Sequence, residues 1–498
     1  MPRLEGICLM KRSAGRKQVQ QIICLLSAVL FIAFFCGELD MQFARRGNTF
    51  EIAVTVLGFM ILVVIVPLLT RNLSGNNTIR NCLKKDRQAL LLLLVPAILP
   101  RVVWWIMVPP LIDSDYGLYV RMGQHYATYG QPELNQYMVT IAPNTVLYSV
   151  LTGTLMRLFG KTAETLIGMC IILNLANIFL LYGVCRKLTS VRRSFFAAVL
   201  FALLPENVFY SNIPGIEAPA LFTILVGLFL LLSTRERNNL SMIVYGLIGS
   251  AFLAISACIR PNAWVVFAAA VPFLLFCQGT REYPLKKKAL MLLSTVLGIS
   301  IIWICQNALK NELFKNEKPV SGIGWSLYEG LDLESGGQWT EEKSARCIEV
   351  IYSHSPEEAD KVFFTEALER YHSYTLWEKI RLFMRKGGSL WYETRYAVFT
   401  KEGTAAANTL DHLAIIGWAS CLAFMLYCML YRWNHAVEDN TRRIAWIPLL
   451  IILLTTAWHE MGTSIGRYHY MLIPFVLMLI AVYFPEKAAK MRTEGKTV

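Results

Sequence analysis

Two carboxylates, Asp113 and Asp115, follow the prolines at 109–110, directly after a hydrophobic run long enough to cross a bilayer. Charge so close to hydrocarbon is costly, so it is commonly retained for function. A carboxylate here could take the proton from an attacking hydroxyl or hold a divalent cation against a phosphate. The local alternative is that Asp113 or Ser114 caps a helix over 116–129. One cap does not require two carboxylates, so we predict a functional role for the pair.

Further charged and polar side chains stand where other hydrophobic runs begin or end. They are Glu217, Arg260, Glu460 and the neighbours Arg467 and Tyr468. Arginine forms bidentate, charge-assisted bonds to phosphate oxygens, so this set suits a phosphate in the headgroup layer. Each residue also has a structural alternative: Glu217 could cap its helix, Arg260 could snorkel, and Glu460 could pair with Arg467. His459 and His469 are weaker candidates.

The chain that must position these residues is rich in hydrophobic side chains. Of its 498 residues 55% are hydrophobic, too many for a soluble protein. About twelve runs approach the length of a membrane span. They are 20–38, 50–69, 89–108, 165–185, 194–211, 218–233, 241–258, 262–278, 289–308, 409–431, 444–458 and 468–484.

The basic residues predict the orientation of these spans. Lys and Arg concentrate in alternate loops, for example at 84–85, 186–193, 286–288 and 442–443, which the positive-inside rule assigns to the cytoplasm. The pair at 45–46 is an external exception. We therefore expect a multi-pass plasma-membrane protein with both termini cytoplasmic. The net charge of +13 then reflects topology and lipid headgroups, and a nucleic-acid partner is not expected.

The spans divide the chain into four parts. Residues 1–88 hold two spans and a polar linker. Residues 89–308 form the core bundle, which includes a long external loop at 109–164. Residues 309–408 form an external, mostly helical segment, and residues 409–498 hold the last three spans and a cytoplasmic tail.

The external loop contains two amphipathic stretches. The first carries tyrosines along one face from Tyr116 to Tyr129 and ends at Gly130, a residue suited to a helix C-terminus. The second runs from Pro143 to Phe159 with apolar residues at helical spacing. We expect both helices to lie at the membrane interface.

The external segment carries strong helix-start signals. Thr340 precedes two glutamates, and Ser355 precedes a proline and two glutamates. A third helix is predicted from Thr375 toward Lys386, ending at the two glycines 387–388.

Several chemistries find no support in the sequence. The twelve cysteines form no CxxC pair, so no disulfide framework or cysteine metal site is indicated. No phosphate-binding glycine loop, HExxH motif or GxSxG elbow stands in a suitable context.

The order of the motifs resembles GT-C glycosyltransferases of the family 39 type, which include protein O-mannosyltransferases and the lipid A aminoarabinose transferase. The matching motifs, spread over residues 89–484, are Asp115-x-x-x-Tyr119 with Gly130, Glu217, Ile259–Pro261, Tyr328–Leu331, Gly336–Trp339, and Glu460…Arg467–Tyr468 leading to Pro474. The resemblance implies a GT-C-type, all-α bundle.

The resemblance also implies an activity. Such enzymes transfer a sugar from a polyprenyl-phosphate donor to an acceptor on a glycan, glycolipid or protein at the outer face. Asp115 fits the loop carboxylate that serves as base, Glu217 fits a second acidic position, and Arg260 fits a basic position near the donor phosphate. One departure is that Tyr116 follows Asp115, where the family usually shows Asp-Glu.

We therefore predict an all-α integral membrane glycosyltransferase that acts with inversion. Asp115 is the expected base, with Asp113 and Glu217 positioning the acceptor or a metal. The expected substrate-binding residues are Arg260, Arg467, Tyr468, Glu460 and Tyr119. A divalent cation, Mg or Mn, held by Asp113 and Asp115 is an open option.

Two other classes remain as alternatives: a twelve-span transporter or lipid flippase, and a membrane scaffold that presents residues 309–408. Convergence of Asp115, Glu217, Arg260 and Arg467 would favour the enzyme, and scatter would favour either alternative.

Overall fold

The computed structural model describes residues 26–27, 29–41, 83, 85–108, 110, 112–234, 238–276, 285–315, 318–392, 405–433 and 445–484. These ranges are helical with short connections and contain no strand, so the predicted all-α fold is confirmed for this part of the chain. The predicted span at 50–69 and the basic pair at 45–46 lie outside the described residues.

The apolar helices form one bundle around a shared core. Its helices are α1 (29–41), α2 (Asp86–Met107), α6 (Ala163–Leu188), α7 (Val191–Leu203), α8 (Pro205–Phe209), α9 (Glu217–Ser233), α10 (Asn239–Ile259), α11 (Trp264–Phe276), α12 (Leu285–Phe314), α17 (Ala405–Trp433), α18 (Trp446–Met461) and α19 (Ile473–Tyr483). Helix α19 is apolar on every side and buried along its whole length, as expected for a central helix.

Five of the described helices are long and apolar enough to cross a membrane. A sixth span results if α7 and the following residues 205–212 are counted as one, although the chain bends there by 63°. The bend falls at Pro205, which lacks the N–H needed to continue α7. Helices α9, α18 and α19 are apolar but shorter. The count of about twelve spans stays a prediction.

The loop that follows α2 folds into helices α3 (Ser114–Tyr129), α4 (Gln136–Thr140) and α5 (Pro143–Phe159). The two predicted amphipathic helices are thus present, and α3 ends at Gly130 in the left-handed conformation (φ 78°). Helices α3 and α5 cross closely at Gly153, where a Cβ would stand 2.6 Å from the Tyr126 ring.

Four further helices follow α12: α13 (Ile323–Gly330), α14 (Glu341–Ser353), α15 (Pro356–Ser373) and α16 (Leu376–Tyr392). Both predicted helix starts are confirmed. Thr340 caps α14, and Ser355 forms a capping box with Glu358 at the start of α15. Phe363 of α15 is buried against Trp325 and Tyr328 of α13. We call the end of the bundle that carries α13–α16 the outer end, following the predicted orientation.

The predicted end of the third helix at Gly387 and Gly388 is wrong, because α16 continues through both glycines to Tyr392. A Cβ at Gly387 would overlap the Phe34 ring of α1, and one at Gly388 would overlap the backbone at Glu38. The glycines therefore permit a close crossing of α1 and α16.

Candidate active site

The carboxylate of Asp115 is held by an arginine from near the other end of the chain. Asp115 lies in the first turn of α3, and its Oδ2 is 2.6 Å from Nη2 of Arg467. Arg467 belongs to the 3₁₀ helix Gly466–Met471 that leads into α19. The Asp115 side chain keeps 35% of its surface exposed, whereas Arg467 keeps 16%. The carboxylate is thus anchored on one side and open on the other.

Asp113 has the local role that the sequence left as an alternative. It is the N-cap of α3, and its Oδ1 accepts a hydrogen bond from the backbone N–H of Ser114 at 2.6 Å. Ser114 has a φ of 55°, a conformation that costs a non-glycine residue roughly 1 kcal/mol or more. The cap and this unusual backbone conformation together fix the start of α3, and with it the direction of the Asp115 side chain in the first turn.

A second ion pair is buried between α9 and the end of α10. Nη1 of Arg260 donates to Oε1 of Glu217 at 3.1 Å, and the side chains are only 5% and 3% exposed. Arg260 therefore turns inward and does not snorkel. Oε2 of Glu217 is buried and has no hydrogen-bond partner among the residues that the structure describes. Buried polar atoms are normally satisfied, so this oxygen is an available acceptor.

Tyr468 joins the two ion pairs. The guanidinium carbon of Arg260 lies 4.7 Å from the centre of the Tyr468 ring, and that of Arg467 lies 5.7 Å from it. The predicted convergence is therefore present as a continuous chain, Asp115–Arg467–Tyr468–Arg260–Glu217. The His459 ring stacks on the same tyrosine at 4.6 Å.

Tyr119 lies beside this chain as part of an aromatic cluster. The centre of its ring lies 6.3 Å from that of Tyr116 and 5.5 Å from that of Tyr148. The Tyr148 hydroxyl donates a hydrogen bond to the backbone oxygen of Gly215 at 3.1 Å. Burial raises the pKa of Tyr119 well above its ordinary value, so the phenol stays protonated. Its burial suits packing between α3 and α5 more than proton transfer.

Glu460 is placed against a lysine that the sequence did not single out. Nζ of Lys386, which is 1% exposed, donates to the backbone oxygen of Glu460 at 2.6 Å. Since Arg467 is paired with Asp115, the alternative pairing of Arg467 with Glu460 is not the one adopted. Lys386 directly follows Arg385 on α16, and the surrounding sequence gave no signal that the lysine is buried.

The two histidines are held by groups of the protein itself. Nδ1 of His459 lies 3.0 Å from the backbone oxygen of Thr463. His469 is fully buried, with Nε2 2.7 Å from Oε2 of Glu206 and Nδ1 2.7 Å from the backbone oxygen of Leu390. Neither contact involves Asp115 or Glu217. Glu206 was missed at the sequence level, although an acid inside an apolar run is a usable signal.

Glu329 is the other missed acid near the candidate site. It lies at the end of α13, is 6% exposed, and its Oε2 accepts a hydrogen bond from the Thr463 hydroxyl at 2.9 Å. Burial raises the pKa of Glu329 to about 7, and both Asp115 and Arg467 are among the charges that act on it. The sequence signal was its position in an otherwise apolar stretch.

The described residues fit a divalent cation poorly. No group of three or more His, Cys, Asp or Glu side chains among them is gathered as a metal site. Asp115 faces a guanidinium, and Asp113 accepts a backbone hydrogen bond. Hard cations require several oxygen ligands, which these two carboxylates do not offer together. We derive no step through a metal.

Comparison with known proteins supports the resemblance expected from the motifs. Residues 143–304 match the model of the family described as dolichyl-phosphate-mannose-protein mannosyltransferase. The matched segment contains Glu217 and Arg260, whereas Asp115 and Arg467 lie outside it. No curated protein matches the chain.

A solved structure, the archaeal oligosaccharyltransferase AglB from Archaeoglobus fulgidus in complex with an inhibitory peptide and a dolichol-phosphate, is similar over 76% of this chain and 56% of its own. The sequence identity is 14% and the TM-score is 0.35. The present chain thus spans little more than half the length of that protein. The family match gives no support to the transporter alternative.

Proposed function

We propose that the protein is a membrane glycosyltransferase that moves a sugar from a polyprenyl-phosphate carrier to an acceptor hydroxyl at the outer end of the bundle. The observation that carries this proposal is the pair of ion pairs, Asp115–Arg467 and Glu217–Arg260, which the Tyr468 ring joins. The family match over residues 143–304 supports the same donor class.

The two arginines suit a phosphate leaving group. Both guanidinium groups rest on the Tyr468 ring, which limits their motion. Nε of Arg467 is buried and finds no hydrogen-bond partner within the described part of the chain, so it has a donor to offer to a phosphate oxygen. Donors that are already oriented stabilise developing charge without reorganisation.

The reaction follows as one displacement. The acceptor oxygen attacks the anomeric carbon, and its proton passes to the carboxylate of Asp115. The bond from the anomeric carbon to the phosphate oxygen breaks, and the phosphate keeps the electron pair beside Arg260 and Arg467. Because attack and departure occur on opposite faces, the anomeric configuration inverts. The open Oε2 of Glu217 can accept a hydroxyl of the sugar or of the acceptor.

The distribution of charge favours this function over transport. Transporters commonly bind substrate near the bilayer midplane, between structural repeats. Here the paired charges stand beside α3 and the turn before α19, at the end of the bundle that carries α13–α16. A scaffold would have no use for two ion pairs that share one aromatic ring. We extend the proposal to the plasma membrane with both termini cytoplasmic, which the distribution of Lys and Arg supports.

The test is turnover of a panel of polyprenyl-phosphate sugars by protein purified in detergent. Wild type is compared with Asp115→Asn and with Glu342→Gln, a control at an exposed acid of α14. We expect loss of the lipid-linked sugar with wild type and the control only. A parallel reaction with EDTA tests metal dependence, and the geometry predicts little change. Absence of turnover with every donor, from folded protein supplied with acceptor-rich extract, would refute the proposal.

A further inference from the structure

Helix α13 binds the turn that leads to Arg467 through two side chains. The Thr463 hydroxyl donates to Oε2 of Glu329 at 2.9 Å, and the Thr463 backbone N–H donates to Oγ of Ser326 at 3.2 Å. Residues three apart on a helix share a face, so Ser326 and Glu329 hold the same threonine. Gly330 lies so close to the backbone of Gly462 that a Cβ there would overlap it.

The same turn carries one half of the Asp115–Arg467 pair. Arg467 is the fourth residue after Thr463. Between them, the backbone N–H of Ser464 donates a hydrogen bond to the backbone oxygen of Gly337 at 3.1 Å. The position of the guanidinium beside Asp115 therefore depends on how α13 and the loop after it hold residues 462–464. Glu329 provides the buried, ionisable contact of this set.

Glu329 is also electrically coupled to the candidate site. Burial raises its pKa to about 7, the Thr463 hydrogen bond and Lys343 lower it, Asp115 raises it and Arg467 lowers it. Among the described residues, the charge of Glu329 also raises the pKa of Tyr137 on α4 and that of Cys347 on α14. The interaction between two charges is mutual, so ionisation of Glu329 must also be felt at Asp115 and Arg467.

We propose that Glu329 is a positioning residue for sugar transfer: through Thr463 it holds the turn that carries Arg467, and its negative charge acts on the Asp115–Arg467 pair. This inference rests on the proposed function. Glu329 itself takes no proton from the acceptor in this scheme. Its charge attracts the Arg467 guanidinium and repels the Asp115 carboxylate, so ionisation of Glu329 alters the forces that hold this pair together.

The sign of the pH dependence follows from the pKa of Glu329. Below about pH 7 the side chain is neutral, and above it the side chain is ionised and active in this role. We therefore expect kcat/KM of the wild type to rise through pH 7. We expect a rise of about tenfold, which corresponds to about 1.4 kcal/mol in the activation barrier.

The variants separate this role from structural support. Glu329→Gln keeps an acceptor for the Thr463 hydroxyl but has no charge, so its kcat/KM should stay near the low-pH value throughout. Thr463→Val removes the hydrogen bond that lowers the pKa of Glu329, so the rise should move to higher pH. Thr463→Ser should restore the wild-type profile. Glu342→Gln, on the exposed face of α14, is the matched control and should keep the step.

The experiment measures kcat/KM for the preferred donor from pH 5.5 to 8.5, with thermal unfolding of each variant in parallel. The proposal is supported if kcat/KM of the wild type rises near pH 7, if this rise is absent in Glu329→Gln, and if it occurs at higher pH in Thr463→Val. A folded Glu329→Gln that keeps the wild-type step overturns this inference and leaves the proposed function intact. Absence of turnover in the wild type refutes the proposed function and this inference with it.

Discussion

Arg467 and Asp115 are 352 positions apart in the sequence, yet Nη2 of Arg467 lies 2.6 Å from Oδ2 of Asp115. Burial alone would lower the pKa of Arg467, but the Asp115 carboxylate, helped by the neighbouring tyrosines, raises it well above its ordinary value. The guanidinium therefore stays charged throughout the accessible pH range. This pair brings the loop after α2 and the turn before α19 together at one candidate site.

Replacing Asp115 by asparagine should abolish transfer without unfolding the protein. The amide keeps the size of the side chain but cannot take the acceptor proton, and loss of a general base typically costs 10²–10⁴-fold. We expect a fall of about 10³-fold in kcat, measured by donor turnover, with a thermal unfolding temperature near that of wild type. Near-normal kcat in Asp115→Asn would remove the base assignment, and Glu342→Gln controls for loss of an acidic side chain.

Loss of one partner of the buried Glu217–Arg260 pair should reduce stability. Arg260→Met leaves the Glu217 carboxylate buried without its cation, which typically costs about 3–5 kcal/mol. The double variant Arg260→Met with Glu217→Leu removes both charges and should recover much of that stability. Chemical unfolding in detergent measures both. Transfer should remain impaired in the double variant, because the phosphate contact is still missing. Recovery of activity along with stability would assign the pair a structural role alone.

Tyr468 should act through its ring and not through its hydroxyl. Two guanidinium groups lie over the ring, and each such contact contributes on the order of 0.5–2 kcal/mol. Tyr468→Phe should therefore keep KM for the donor within about twofold, whereas Tyr468→Leu should raise it roughly tenfold or more. Donor titrations at fixed acceptor test this order. Equal effects of the two substitutions would show that the hydroxyl contributes the binding energy.

The crossing of α1 and α16 should be sensitive to a single methyl group. Gly388→Ala places a Cβ against the backbone of α1 at Glu38, and overpacking of this kind typically costs about 1–3 kcal/mol. Gly168→Ala is the matched control, because no atom of a described residue lies within 4 Å of the added methyl in α6. Thermal unfolding should separate the two variants. A destabilised Gly168→Ala, or an unaffected Gly388→Ala, would contradict the observed crossing.

Much of the fold could be predicted because its signals are local. The capping box at Ser355 and the left-handed end of α3 at Gly130 follow from residue types within one helical turn. The end predicted at Gly387 was wrong because glycine also permits close helix packing, and the partner at Phe34 is far away in the sequence. Local patterns do not distinguish these two uses of glycine.

The sequence by itself determined that the protein is an all-helical membrane protein and that Asp115, Glu217, Arg260 and Arg467 stand near the ends of apolar helices. Hydrophobic run length and span order suffice for both conclusions. Only the tertiary structure decided that Arg467 meets Asp115, that Lys386 meets Glu460, and that Glu329 reaches the turn at Thr463. These contacts depend on the rotation and depth of each helix. The rotation and depth of a helix are set by its packing against the rest of the bundle, so they cannot be predicted from the sequence of that helix alone.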